Sequence, residues 1–389
     1  ALSLYVGLIL ILLVSFEVTL TLPGVAGIIL SIGMAVDANV IIFTRIKEEI
    51  GAGKAVKTAI DNGFQKALSA IVDGNVTTLI AAAVLFWRGS GTVKGFASTL
   101  AIGIVLSMFT ALFVTRFALN ALYSLGIENP KFYGIKKETA PKPFLKYRKL
   151  CFVLSAAAVA SGFVFMGMNR SSTGQILNYS MEFKGGTSTN VTFNEEMSQE
   201  RIEAEVVPLV EEITKDADVQ TQRVTGTNEV IIKTRTLNVE ERQAFEKAMQ
   251  ENFGVEEGKI AAESISGAVS QEMKRDAMEA VIIATIGMLL YIWLRFQNIR
   301  FAGSSVLALL HDVLVVLACY AAFKWSVGST FIACMLTIVG YSINATIVIF
   351  DRIRENLKAR RRDQSLEEIV DLSITQTFTR SINTSLTTF

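Results

Sequence analysis

Asp37 stands in GMAVDANVIIFTRIKEEI, Gly33 to Ile50, inside an otherwise apolar stretch of helix length. Arg45, eight residues later, marks the end of that stretch. At about 1.5 Å per residue the carboxylate lies roughly 12 Å inside an apolar layer about 30 Å thick. An aspartate at a helix centre costs about 2.5–3.5 kcal/mol by insertion scales, so it faces a wet interior, pairs with a cation, or carries a proton. The last of these is what a proton relay uses; a buried, hydrogen-bonded aspartate that only fixes packing is the plainer alternative. Asp73 lies at a similar depth on the next apolar segment, which runs the opposite way, and is expected either to face Asp37 or to be satisfied by Asn75 and nearby threonines. Two such carboxylates in contact would share a proton. Arg380 is the obvious cation, unless it snorkels from its helix start. His311-Asp312 holds the single histidine; an imidazole beside a carboxylate passes protons near neutral pH, and a capped polar pair between helices is the simpler reading. The hydroxyls of Thr77, Thr78, Thr387 and Thr388 either join helices or line a water path.

These groups need apolar helices to hold them. The 389 residues are 51% hydrophobic with mean hydropathy +0.43, far from an average soluble domain. Apolar segments fall at 1–16, 23–44, 67–87, 95–120, 150–168, 277–296, 304–323, 328–350 and 374–389, several reaching the ~20 residues that span a bilayer. A polytopic α-helical membrane protein follows. Net charge is only +1, yet residues 171–276 hold 20 acidic and 11 basic residues, and the remainder 16 acidic and 26 basic. Alternating the segments puts four basic loops on one side: Arg45 to Lys66, Lys131 to Lys149 (with Lys136 and Lys137), Arg295 and Arg300, and Arg352 to Arg362. By the positive-inside rule that side is cytoplasmic and the acidic region is external. Cys151, Cys319 and Cys334 all sit in apolar segments, so no disulfide framework is implied. Both ends of the chain fall within apolar runs, which suggests a part of a longer protein.

The acidic region is expected to be a small α/β domain. TNVTFN (189–194), DVQTQRVTG (218–226), NEVIIKTRT (228–236) and KIAAESIS (259–266) read as strands, and 198–213 and 238–254 as helices opened by Ser or Asn. The order β-α-β-β-α-β suggests a ferredoxin-like split βαβ. Gly185-Gly186 offers a turn into its first strand.

The chain also repeats itself. Ala1 to Ile50 aligns without a gap to Ala308 to Leu357, and DGNVTTL (73–79) resembles NTSLTTF (383–389). Asp37 is matched by Asn344 and Ala38 by Ala345. Both copies cross the membrane in the same direction, a parallel duplication of the kind whose site lies between the halves near the midplane.

At these residues a resemblance becomes specific. GMAVDANVIIF with DGNVTT resembles SecD proteins; MEFKGGT (181–187), ALLHDV (308–313) and GYSIN followed by TIVIFDRIREN resemble SecF proteins. One chain carrying both looks like the fused SecDF type of the resistance-nodulation-division superfamily. The resemblance implies residues 1–125 as the end of a SecD-like half and 126–149 as a basic cytoplasmic linker. It implies 150–169 as the first SecF-like helix, 170–276 as the external domain, and 277–389 as the remaining SecF-like helices. It implies a bacterial cytoplasmic membrane, the SecYEG translocon and an unfolded secretory polypeptide as partners, and proton flow that drives late protein export. It also makes Phe183, Gly185, Gly186 and Thr187 a family signature. The SecF pattern has Asp after the Asn, so its membrane carboxylate falls at position 345, where Arg380 would be its partner; here Ala345 removes it, which puts proton transport by this chain in doubt. A small-molecule exporter of the same superfamily is a second reading, against which the small size of the acidic domain weighs; a non-transporting translocon scaffold is a third. No metal-ligand cluster, phosphate loop or nucleophile triad is seen, so neither an enzyme, a cofactor nor a nucleic-acid partner is expected.

Overall fold

The computed structural model describes residues 1–89, 91–134, 140–216, 219–224, 226–296, 299–360 and 364–388. Lys136, Lys137, Asp218, Thr225, Arg361 and Arg362 lie outside these residues, as do the side chains of Thr387 and Thr388. The chain divides into a helical unit (1–177, 279–325 and 329–389) and a small α/β unit (178–278 with 326–328).

The helical unit begins with α1 (Leu2–Ser15), α2 (Leu22–Gly51) and α3 (Val56–Arg88). A run of α4 (Gly91–Phe109), one π turn (Thr110–Val114) and α5 (Thr115–Ser124) follows. After the short turn α6 (Pro130–Tyr133) comes α7 (Arg148–Thr173). Among the described residues seven helices are long and apolar enough to cross a membrane. The helix at 1–16 is shorter, and the run expected at 374–389 is part of a longer helix too polar to count, because TQTFTRSINTS brings hydroxyls, two amides and Arg380 into it.

The small unit is built from β1 (Asn178–Tyr179), the helical turn α8 (Met181–Lys184) and β2 (Gly186–Thr192). Next come α9 (Gln199–Arg201), a π turn (Ile202–Val206), α10 (Val207–Thr214), β3 (Gln220–Arg223), β4 (Glu229–Thr234), α11 (Val239–Phe253) and β5 (Ile260–Ile265). The sheet order is β3-β4-β2-β5 with every pairing antiparallel, which is the ferredoxin-like split βαβ arrangement. Alternate residues of the central strands, Val191, Val230 and Ile232, meet Ile202, Val206, Phe245 and Met249 in its core. The chain then returns to the helical unit through α12 (Gly267–Phe296) and α13 (Ile299–Phe323). After β6 (Ser326–Val327), which pairs in parallel with β1, come α14 (Ser329–Lys358) and α15 (Leu366–Thr388).

Helices α2, α3 and α14 outrun their apolar runs, because their charged ends remain helical: in α2 and α14 Arg45 and Glu48, and Arg352 and Glu355, are i, i+3 pairs, and in α3 Lys66 and Asp61 pair with Glu49 and Arg116. The duplication is visible in three dimensions. Helices α2 and α14 are each 30 residues long. Helix α14 packs on α3 and α15 packs on α2, so each half contributes a helix to the other. Two glycines permit close helix contacts: a methyl on Gly74 of α3 would collide with the Asn344 side chain of α14, and one on Gly162 of α7 with Ala318 of α13.

Candidate functional site

Asp37 sits mid-way along α2 and is 4% exposed. Three donors converge on its carboxylate. Thr384 Oγ1 donates to Oδ1 at 2.5 Å, and Asn344 Nδ2 and Arg380 Nη2 donate to Oδ2 at 3.3 and 3.4 Å. Arg380 and Thr384 lie one turn apart on α15 and so share a face; Asn344 comes from α14. The Arg380 side chain is 10% exposed, and among the described residues its Nε is buried without a hydrogen-bond partner. The guanidinium therefore has donor capacity beyond the Asp37 pair, in a place where an isolated charge is costly.

This pair opens on a cavity of about 590 Å³ between α2, α13, α14 and α15. Ala345 is in its wall and exposed to it, next to Asn344. On the α13 side the same cavity is lined by His311 and Asp312. His311 Nδ1 lies 2.9 Å from Asp312 Oδ1, and Nε2 lies 2.5 Å from Ser155 Oγ of α7; Ser342 of α14 donates to Asp312 Oδ2 at 2.6 Å. The imidazole–carboxylate pair is thus capped from two helices, as the simpler sequence reading expects, and it also borders the cavity.

Asp73 does not face Asp37. It is 4% exposed and accepts from Arg295 Nε at 2.7 Å and Tyr291 OH at 2.8 Å, both on α12, and from Ser69 at 3.2 Å. The reason is rotational: Gly74 points at Asn344 and α14, and its neighbour Asp73 is turned by about 100° towards α12. Asn75 and the threonines are not its partners either. Thr77 and Thr78 are buried and donate to the Gly74 carbonyl of their own helix, at 2.7 and 3.2 Å. Arg295 is not a loop residue, since α12 runs through it as far as Phe296.

The FKGGT stretch serves the small unit. Phe183 is buried, and Gly185 and Gly186 take positive φ of 78° and 141°, a conformation that glycine tolerates, between α8 and β2. The Thr187 hydroxyl lies 2.6 Å from Ser264 Oγ and accepts the Leu237 N–H at 3.0 Å.

Sequence reasoning missed Thr384, Tyr291, Arg295, Ser155 and Ser342. Thr384 alone carried a usable signal, its i+4 spacing from Arg380.

The sequence profile described as "Protein export membrane protein SecD/SecF, C-terminal" matches residues 2–124 and 244–389. The protein translocase subunit SecDF of Bacillus subtilis (strain 168) is 36% identical over 410 residues, which cover 99% of this chain and 54% of that protein. The subunit of the same name from Thermus thermophilus is 36% identical over 91% of this chain and 46% of its own length. A crystal structure of Thermus SecDF, titled a translocon-associated membrane protein, superposes with a TM-score of 0.83 at 34% identity. It is matched over 100% of this chain and 51% of that one. A second SecDF structure, in a form titled super-membrane-facing, gives 0.72 at 35% identity, over 99% of this chain and 51% of that one. The chain spans about half the length of the curated relatives it matches. A duplicated bundle, a small ferredoxin-like unit and a family match over most of the chain lead to one assignment: this multi-pass membrane protein belongs to the SecD/SecF protein-export family.

Proposed function

We propose that the chain is the membrane part of a proton-driven accessory subunit of the Sec protein translocation machinery. In this reading it works beside the SecYEG channel in a bacterial cytoplasmic membrane, with the small unit on the outer face. It helps unfolded secretory polypeptides complete their export. The observation that carries it is the Asp37–Arg380 pair, 3.4 Å apart and opening on a cavity of about 590 Å³. A proton on Asp37 cancels the charge that compensates Arg380, and a buried arginine left so must find another partner. Two arrangements of α15 against α2 are the result, and a bundle with two arrangements converts proton passage into movement.

Ala345 favours a second reading for this particular chain. It places a methyl where a second carboxylate is expected, and a chain that cannot cycle its arginine between two acids acts as a translocon scaffold. Proton uptake into vesicles separates the two. This chain is compared with its Ala345→Asp form and with Asp37→Asn added to that form. Flux gained with Ala345→Asp and lost again when Asp37→Asn is added supports the relay. Flux absent from all three, or equal in all three, rules the relay out and leaves the scaffold.

A further inference from the structure

Three further cavities adjoin the Asp37 site. One of about 20 Å³ is lined by Asp37, Ile41 and Asn344. One of about 40 Å³ is lined by Ile41, Thr44, Glu48, Val348, Asp351 and Arg380. One of about 500 Å³ is lined by Ser69, Arg295, Asp351 and Glu355. They share walls in sequence. Val348 and Arg380 border both the large Asp37 cavity and the 40 Å³ space, and Asp351 borders both that space and the 500 Å³ cavity. On α14 the lining residues Asn344, Val348, Asp351 and Glu355 fall at i, i+4, i+7 and i+11, one continuous stripe of a helix. Their repeat-mates on α2, Asp37, Ile41, Thr44 and Glu48, form the other stripe. The column runs about 16 Å along the helices.

From this geometry we infer that Asp351 is a second protonatable station of the path, one level nearer the basic end of the bundle than Asp37, with Arg380 between them. The inference rests on the proton-relay reading above. In the first copy the membrane carboxylate stands at the level of Asp37; in the second that level holds Asn344, and the acid appears about 10 Å further along, where the first copy has Thr44. Asp351 differs from the other acids of the column in its freedom. Glu48 and Glu355 are held by Arg45 and Arg352 at 2.8–3.3 Å. Among the described residues Asp351 makes no hydrogen bond, and its one ion pair is with Arg354 at 3.8 Å. Its side chain is 23% exposed between two cavities.

The charges acting on it come from four helices: Arg295 of α12, with Asp73 of α3 behind it, Arg354 of α14 itself, and Arg45 of α2. Arg380 of α15 closes the far wall, and its buried Nε is the donor left without a partner there. The 40 Å³ space has room for one or two waters by the usual volume criterion. The transfer is a proton exchange only. An O–H bond on Asp37 breaks, the proton crosses by water past Arg380, and an O–H bond forms on Asp351, which then releases its proton into the 500 Å³ cavity. No electrons change hands.

Two readouts on the full chain test this. The first is proton uptake by vesicles holding the Ala345→Asp form, alone or with Asp37→Asn, Asp351→Asn or Asp351→Glu. The expected result is a loss of about a hundredfold with Asp351→Asn and substantial uptake with Asp351→Glu at a displaced pH midpoint. Uptake lost with Asp37→Asn but unchanged with Asp351→Asn overturns the station and leaves the relay. Uptake indifferent to Asp37→Asn, or absent from every form, overturns both. The second readout is the infrared difference spectrum of the unaltered chain between acid and neutral pH. A carboxylic C=O band that disappears with Asp351→Asn is expected, and its absence overturns the inference regardless of transport.

Discussion

Asp37 and Arg380 hold each other in a place where neither is tolerated alone. The carboxylate is 4% exposed and the guanidinium side chain 10%. Removing one partner of such a pair costs about 3–5 kcal/mol, because the other charge is left buried, whereas replacing both by apolar groups of similar volume is close to neutral. Asp37→Ala is therefore expected to lower the thermal unfolding midpoint of the detergent-solubilised chain sharply, and adding Arg380→Met should restore most of it. Losses that simply add in the double variant would show that the pair is not coupled. Residue type and depth made Asp37 and Arg380 legible in the sequence, since charge in an apolar run demands an explanation. Arg295 was not legible. An arginine at the end of an apolar run looks the same whether it reaches water or turns back to an aspartate, and only the packing of α12 on α3 decides that. Asp73 was misplaced for a related reason: depth along a helix is readable from residue counts, but azimuth depends on which neighbour packs where.

Helix starts and ends carry their own energetics, and α11 is the clearest case. Asn238 caps it: its side chain accepts from the Glu241 N–H at 2.7 Å, while the Glu241 side chain accepts from the Asn238 N–H at 3.0 Å. Arg235 adds a fork to the same carboxylate at 2.5 and 3.1 Å. The Arg235 side chain first, and the Asn238 backbone second, hold Glu241 below the usual carboxylate range. A carboxylate with a depressed folded-state value stabilises fully above the unfolded value and loses that contribution as pH falls through the folded one. Hydrogen exchange of the first turn of α11 in the whole chain should thus accelerate as pH drops below the ordinary glutamate range, after correction for intrinsic exchange. Arg235→Ala should flatten that dependence, and Asn238→Ala should weaken the helix by about 0.5–2 kcal/mol at neutral pH. A profile equally steep in wild type and Arg235→Ala would place the acid sensitivity elsewhere. Elements of this kind were readable because capping residues and strand alternation are local signals; the ferredoxin-like order came out strand by strand. The lengths of α2, α3 and α14 were not readable from hydropathy: the charged ends of α2 and α14 are tied by i, i+3 pairs and by contacts with the opposite copy, and the polar start of α3 is tied by Lys66 and Asn62 to Glu49 and by Asp61 to Arg116.

Those contacts give the bundle its pseudo-twofold character. Arg45 of α2 reaches Glu355 of α14 at 3.0 Å, and the repeat-mate pair, Arg352 and Glu48, closes at 3.1 Å. Each arginine also holds the glutamate of its own helix, at 2.9 and 2.8 Å, so four side chains form a ring that joins the two copies. The duplication was legible as a gapless alignment, and the equivalence of these four residues with it; that they meet in a ring required the exchange of α14 and α15 between the halves. The ring is symmetric in sequence but not in burial: the Glu48 side chain is 20% exposed and that of Glu355 40%. Solvent screens the second more, which reduces what its pairs are worth. Reversal of Glu48 to Arg sets it against both Arg45 and Arg352 and should destabilise the chain by about 1–3 kcal/mol, within the range of coupled charged neighbours. Reversal of Glu355 to Arg should cost less and be relieved more by salt. The exchange Glu48→Arg with Arg352→Glu restores one inter-copy pair and should recover part of the loss. Thermal unfolding in detergent at low and high salt reads all three. Equal penalties for the two reversals would mean that the ring responds to its sequence symmetry alone. A larger penalty at Glu48 ties the copies together chiefly through the pair it makes with Arg352, on the side where the 40 Å³ space between the two stripes also lies.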